Sequence, residues 1–173
     1  MGGVSLGLKI RMLKSEVIEA LLYGCATWTM KVEHYSTLRT IHHRLLLRCV
    51  GSHKRTRTDH VMSYQNTIAR TRCETVETTV RKRRSLLAGC IVRMNANRLP
   101  KQIMCGHIAT EGIVTEGKAG RVEGVGGRKR WTACLRDDLR NFGMEPAGWE
   151  ERAAVKSEWN YPVEEGAEKF MAM

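Results

Sequence analysis

Apolar residues recur at helical spacing in the first part of the chain. In residues 6–23 they stand three or four residues apart, and charged side chains fill much of the opposite side. These apolar positions are Leu6, Ile10, Leu13, Val17 and Leu21, joined on a broad side by Met12, Ile18 and Leu22. The pattern predicts an amphipathic helix, and Gly24 is placed to cap its C-terminus.

The same spacing predicts further helices along the chain. A second helix spans about residues 33–49 and ends at Gly51, and a third spans about 74–94. A short helix over 58–64, with Thr58 as its N-cap, lies between them. Gly89 costs the third helix about 1 kcal/mol relative to Ala, which favours close packing at that position. Two more helices are predicted at 128–142 and 149–159.

The remaining stretches do not have a helical pattern. Residues 106–127 contain seven glycines, and residues 101–105 favour a short strand. We therefore expect a mostly α fold: a helical bundle of three main helices (1–95), a Gly-rich linker (96–127), a helical extension of two short helices (128–159) and an acidic disordered tail (160–173).

The charge is strongly basic and unevenly distributed. The chain has 29 Lys and Arg against 18 Asp and Glu, a formal net charge of +11. Residues 1–110 carry 19 basic and 6 acidic side chains, net +13, and residues 111–173 carry 10 and 12, net −2. Such a basic region favours a polyanion partner, with a merely soluble basic surface as the alternative.

The six cysteines indicate reduced thiols inside the cell. They are far apart in sequence, no secretory signal precedes them, and no apolar run reaches the roughly 18 residues of a membrane span. Cys90, Cys105 and His107 are the nearest approach to a zinc site, but zinc ligands usually come in pairs with wider internal spacing. Buried thiols without a metal or other cofactor are the preferred interpretation.

Two stretches resemble catalytic motifs without satisfying them. "GIVTEGKA" (112–119) has Ala119 where a phosphate-binding loop needs Ser or Thr, and no apolar strand precedes it. Asp137 and Asp138 are adjacent, as in two-metal sites, but neighbouring helical residues point about 100° apart. We expect salt bridges with Arg136 and Arg140 instead.

Three basic clusters remain as candidates for binding nucleic acid. Lys and Arg that neutralise phosphates give strong, salt-sensitive and sequence-independent affinity. The candidate residues are Lys54, Arg55, Arg57, Arg81, Lys82, Arg84, Arg128, Lys129 and Arg130. His42 and His43 are expected to contact solvent or phosphate, and Trp131 is expected in the core, beside Leu135 and Leu139, rather than stacked on a base.

Four segments resemble the region after the palm of non-LTR (LINE-type) retrotransposon reverse transcriptases. "LLYGCATWTM" (21–30) is similar to that family's Leu-Leu-Tyr-Gly-Cys-Glu-Thr-Trp-Thr segment. "RKRRSLLAGCIVRM", "NRLPKQIM" and "GGRKRWTACLRDDLRNFGM" resemble three later family segments in the same order. The chain departs from the family at Ala26, Leu87 and Cys90, and at residues 125–127.

The resemblance implies that residues 1–95 correspond to the thumb, which holds the primer–template duplex, and that 96–159 correspond to the extension beyond it. The Asp-Asp palm motif, whose magnesium ligands the parent RNA-directed DNA polymerase requires, is missing. The chain is thus expected to be a non-catalytic C-terminal fragment that binds RNA, DNA or a hybrid, with no membrane partner. A stand-alone basic nucleic-acid-binding module and a decayed relic are the alternatives, and an uncovered apolar face favours self-association.

Overall fold

The computed structural model describes residues 4–51, 62–104 and 130–172, and every regular element within these ranges is helical. The chain divides into two compact units. The first unit comprises residues 1–25 and 31–80, and the second comprises residues 26–30 and 81–173. A mostly α fold is therefore confirmed.

The first unit begins with a helix that changes its winding along its length. Ser5 caps it by accepting a hydrogen bond from the Leu8 amide at 3.4 Å. The first helix consists of three segments: α1 (Leu6–Met12), a π-helical turn (Leu13–Ile18) and α2 (Glu19–Leu21). Two further helices of this unit are α3 (Val32–Val50) and α4 (Tyr64–Thr71).

The second unit is built from later helices and from the short segment 26–30. α5 is divided between the units, with its residues up to Val80 in the first and those from Arg81 in the second. Residues 99–104 are helical. The other bounds are α5 (Val76–Val92), α6 (Trp131–Asn141), α7 (Trp149–Ala154) and α8 (Lys156–Ala172).

Glycines end two of the predicted helices at the expected positions. Gly51 caps α3 with a φ of 85°, and Gly143 follows α6 with a φ of 70°. Both values lie in the left-handed region, which Gly adopts without the steric cost that a Cβ would add.

The core of the first unit lies where α1 and its π-helical turn pack against α3 and α4. Ile10, Leu13, Leu46 and Cys73 are its buried members. The predicted apolar side of the first helix is only partly covered, because Met12 and Val17 are exposed. Self-association through these residues stays a prediction.

The core of the second unit surrounds Trp159, which is fully buried. Its Nε1 donates a hydrogen bond to the Ser85 carbonyl of α5 at 2.8 Å, and its ring contacts that of Trp149. The core also contains Ala88, Ile91, Met104, Leu135, Leu139, Phe142, Met144, Ala153, Val163 and Ala167.

Four sequence-based predictions of local structure are wrong. The first helix ends at Leu21 and contains a π-helical turn, whereas a regular helix over residues 6–23 was predicted. Tyr64 begins a helix, with Ser63 as its N-cap, rather than ending the short helix predicted over 58–64. Residues 101–104 are helical, not a strand. The tail that we expected to be disordered forms α8 as far as Ala172, because Trp159, Val163 and Ala167 bury one side of it.

The predicted domain boundary at residue 95 does not coincide with the compact units, which divide inside α5. Thr58, Cys105, His107 and most of the Gly-rich linker lie outside the described residues, so the linker remains a prediction. The thumb-like arrangement of helices also remains a prediction.

We expect Gly89→Ala to destabilise the second unit by about 1–3 kcal/mol, because the core cannot accommodate the added methyl group. A Cβ at this position would lie 2.5 Å from Trp159 Nε1, so the close packing expected at Gly89 is present. Urea unfolding followed by tryptophan fluorescence measures the effect. All four tryptophans belong to the second unit.

Gly7→Ala, measured by far-UV circular dichroism, is the control. A Cβ at Gly7 meets nothing within 4 Å, so Ala should leave stability unchanged or raise it by up to about 1 kcal/mol. A Gly89→Ala variant as stable as the wild type would contradict the packing at Gly89.

Candidate nucleic-acid interface

Five of the nine predicted nucleic-acid-binding residues lie outside the described part of the chain. These are Lys54, Arg55, Arg57, Arg128 and Lys129. Of the remaining four, Arg130 is exposed at the N-cap position of α6, and Lys82 is half-buried on α5.

Arg84 does not fit its predicted role, because its side chain is only 1% exposed. Its Nη1 contacts a carboxylate oxygen of Asp138, and its Nη2 donates to the Trp28 carbonyl at 2.8 Å. A guanidinium group held in this way cannot reach a phosphate at the surface. The assignment of Arg84 to nucleic-acid binding is wrong, and the residue belongs to the core of the second unit.

Arg81 is held by the same carboxylate. Its Nη1 lies 2.7 Å from the other Asp138 oxygen, and its guanidinium lies over the Phe170 ring, 5.3 Å from the centroid. Its side chain is 18% exposed. Arg81 is therefore mainly structural as well, since leaving Asp138 would uncover a buried charge.

The adjacent carboxylates Asp137 and Asp138 have separate environments. Asp137 pairs with Arg140 at 3.2 Å on the exposed side of α6, as expected, whereas Asp138 is buried. Burial raises the pKa of the Asp138 carboxyl, although the Arg84 and Arg81 guanidinium groups act in the opposite direction. The two carboxylates do not converge on one point, as a two-metal site would require.

An exposed cation of the first unit contacts the backbone at the C-terminal end of α4. Lys14, in the π-helical turn, donates from Nζ to the Arg72 carbonyl at 3.4 Å. This contact joins residues 58 positions apart in sequence. Arg72 itself is exposed and caps α4 with a φ of 50°, in the left-handed region. The carbonyls at a helix C-terminus carry partial negative charge, which favours an ammonium group there.

Lys9 is an exposed cation of α1 in the same unit. Burial raises the pKa of the Cys49 thiol and Cys73 raises it further, while the Lys9 ammonium acts in the opposite direction. Cys49 packs against the core cluster that contains Cys73, the residue after Arg72. We call Lys9, Lys14 and Arg72 the α1–α4 basic surface. The sequence contained no signal that joins these residues.

His42 is buried, so the prediction that it contacts solvent or phosphate is wrong, whereas His43 is half-buried and the prediction is not contradicted for it. His42 is 3% exposed, and its Nδ1 lies 3.0 Å from Tyr64 Oη. The same Oη accepts a hydrogen bond from the Val76 amide at 3.3 Å. His43 Nε2 lies 3.0 Å from the Met62 carbonyl and 3.2 Å from Thr67 Oγ1.

This network perturbs the acidity of its members. Burial lowers the pKa of His42 to about 4; His43 and Lys14 act in the same direction, and Glu77 opposes them. Burial likewise raises the pKa of Tyr64 to about 12. Glu77 is engaged by Arg39, whose Nε donates to Oε1 at 2.8 Å.

Trp131 packs against the core of the second unit, as expected. Its Nε1 donates to the Ala26 carbonyl at 2.8 Å, and Leu135 and Leu139 are buried. Cys25, Cys73 and Cys134 are buried thiols, but Cys90 is exposed, contrary to expectation. Within the described ranges, no group of three or more His, Cys, Asp or Glu could hold a metal ion.

Comparison with known proteins yields no relative: no family model, curated protein or solved structure matches the chain. Among the helices of the described ranges, none has the length and hydrophobicity needed to cross a membrane.

We expect Asp138→Asn to destabilise the second unit by about 3–5 kcal/mol, because it removes the carboxylate that two buried or half-buried guanidinium groups share. Tryptophan fluorescence during urea unfolding measures the loss. Asp137→Asn is the matched control on the same helix, and an exposed pair of this kind contributes at most about 1 kcal/mol. Equal effects of the two substitutions would contradict the structural role of Asp138.

We expect acid to weaken the first unit through His42. The unfolded chain takes up a proton at His42 below pH 6.5, whereas the folded chain resists it until about pH 4. The contribution of neutral His42 to the free energy of unfolding is therefore fully present above pH 6.5. It falls by about 3 kcal/mol as the pH drops to 4. Urea unfolding followed by circular dichroism at several pH values measures this.

His42→Gln keeps a polar side chain that can hydrogen-bond to Tyr64 but removes the titration, so its stability should fall less over this pH range. His34→Gln, at an exposed position, should behave like the wild type. A His42→Gln variant with the full pH dependence would show that other groups are responsible.

Proposed function

We propose that the chain binds the backbone of duplex or hybrid nucleic acid, without sequence preference, through the α1–α4 basic surface. The observation that carries the proposal is the contact between Lys14 and the Arg72 carbonyl, because it places an exposed ammonium group beside the backbone of a second exposed cationic residue. Lys9 is a further exposed cation on α1 of the same unit.

Electrostatics support this choice of partner. The described residues of the first unit contain nine Lys and Arg against five Asp and Glu, net +4. Of those five acids, Glu77 is buried and engaged by Arg39, so its charge is not presented to a ligand at the surface. An exposed group of cations attracts phosphates through counterion release.

The resemblance to non-LTR retrotransposon reverse transcriptases supports the same partner. In that family the corresponding region is the thumb, which holds the primer–template duplex. We infer that this chain retains the duplex-holding part of that activity as a fragment of such a polymerase. The proposal gives the chain no catalytic role and no magnesium, since Asp138 is buried between arginines.

We expect affinity for a labelled B-DNA duplex to fall steeply with salt and to differ little between unrelated sequences. Fluorescence anisotropy over a series of salt concentrations gives the slope of log affinity against log salt. Replacing Lys9 and Lys14 by Gln should make that slope shallower by about 0.9 for each phosphate that the variant no longer neutralises.

Lys169→Gln is the matched control for loss of charge. Lys169 is exposed in the second unit and pairs with Glu165 at 2.7 Å, so its replacement should leave the salt slope unchanged. A flat salt dependence of the wild type would refute nucleic-acid binding. Equal effects of the Lys9/Lys14 and Lys169 substitutions would refute the placement of the interface.

A further inference from the structure

The second unit contains an apolar cavity that nucleic-acid binding does not use. Its volume is about 380 Å³, and the described residues that line it belong to that unit. Leu87 and Ile91 of α5 form one wall, the helical segment 99–104 forms a second, and Trp131 and Thr132 of α6 form a third. Thr27 completes the lining.

The cavity is an open pocket rather than a void of the interior, because Leu99 and Ile103 in its lining are exposed. Its volume of about 380 Å³ falls within the range of about 300–1,000 Å³ typical of sites for small ligands.

Hydrogen bonds hold the walls of the cavity in place. Lys101 Nζ donates to the Val92 carbonyl at 2.5 Å and to the Met94 carbonyl at 2.9 Å, which ties the segment 99–104 to the end of α5. The Trp131 indole donates to the Ala26 carbonyl and thereby ties α6 to the turn that contains Thr27. The space is therefore bounded by fixed elements.

The chemistry of the lining selects the ligand. Among the described residues, nine line the pocket: seven are apolar, the other two are threonines, and none of the nine is charged. An ion would lose its hydration there without gaining a partner, which is costly. Pockets for small molecules are lined mostly by apolar side chains, as this one is. Leu99 and Ile103 in the lining are 65% and 53% exposed, so the cavity also presents an apolar surface to solvent.

We propose that this cavity binds one uncharged, apolar small molecule, such as a compact aromatic hydrocarbon. The site is independent of the proposed nucleic-acid interface, which belongs to the other unit.

The experiment titrates the full chain with N-phenyl-1-naphthylamine, an uncharged fluorescent probe, and in parallel with anilinonaphthalene sulfonate, its anionic counterpart. The uncharged probe should saturate at one molecule per chain and should accept excitation energy from tryptophan. The anionic probe should bind more weakly by about tenfold or more, because the described lining residues offer no partner for its charge.

Ile103→Arg places a charge in the half-exposed part of the lining and should weaken binding of the uncharged probe about tenfold or more. Val155→Arg is the matched control, since Val155 is a 45% exposed apolar residue of the same unit outside the lining. It should leave the affinity unchanged. Circular dichroism establishes that both variants are folded.

Four results would overturn the proposal: no saturable binding to the folded wild type, many probe molecules per chain, equal affinity for both probes, or equal losses in the two variants. Sedimentation adds a fifth. A wild-type dimer that Ile103→Arg converts to a monomer, without probe binding, would show that a second copy of the chain covers the cavity.

Discussion

The ion pair between Arg84 and Asp138 holds the second unit together. One guanidinium group contacts Asp138 on α6 and donates to the carbonyl of Trp28, while its own backbone lies on α5. Because a buried guanidinium is costly unless its partners stay in place, these three elements must keep their positions together. This interaction explains why residues 26–30 belong to the second unit although first-unit residues flank them on both sides in sequence.

Features governed by local interactions were predictable from the sequence. The apolar spacing located α3 and α5 to within two residues at each end, and Gly51 and Gly143 have the positive φ values that end a helix. The tail shows how the same reasoning fails. Trp159, Val163 and Ala167 repeat at helical spacing. The acidic composition of residues 160–173 nevertheless led to the prediction of a disordered tail. The glutamates of this tail lie on the exposed side of α8, where charge is compatible with a helix.

The candidate site was much less predictable, because burial and long-range packing determine which cations reach solvent. Arg84 belongs to the densest basic cluster of the sequence, yet its partner lies 54 residues away and removes it from the surface. Lys14 belongs to none of the three basic clusters of the sequence, and its contact with the Arg72 carbonyl arises from packing of the first unit. The density of Lys and Arg along the chain is therefore a poor guide to the charged surface that a ligand meets.

The basic surface and the apolar cavity depend on opposite physical properties and belong to different units. Salt screens the attraction between exposed cations and phosphates, with a screening length of about 8 Å at physiological strength. Burial of an uncharged molecule involves no such attraction, and salts such as sulfate strengthen it. Salt thus separates the two activities on the same preparation, so that the loss of one cannot be mistaken for the loss of the other. Each assignment consequently rests on the residues of its own unit alone.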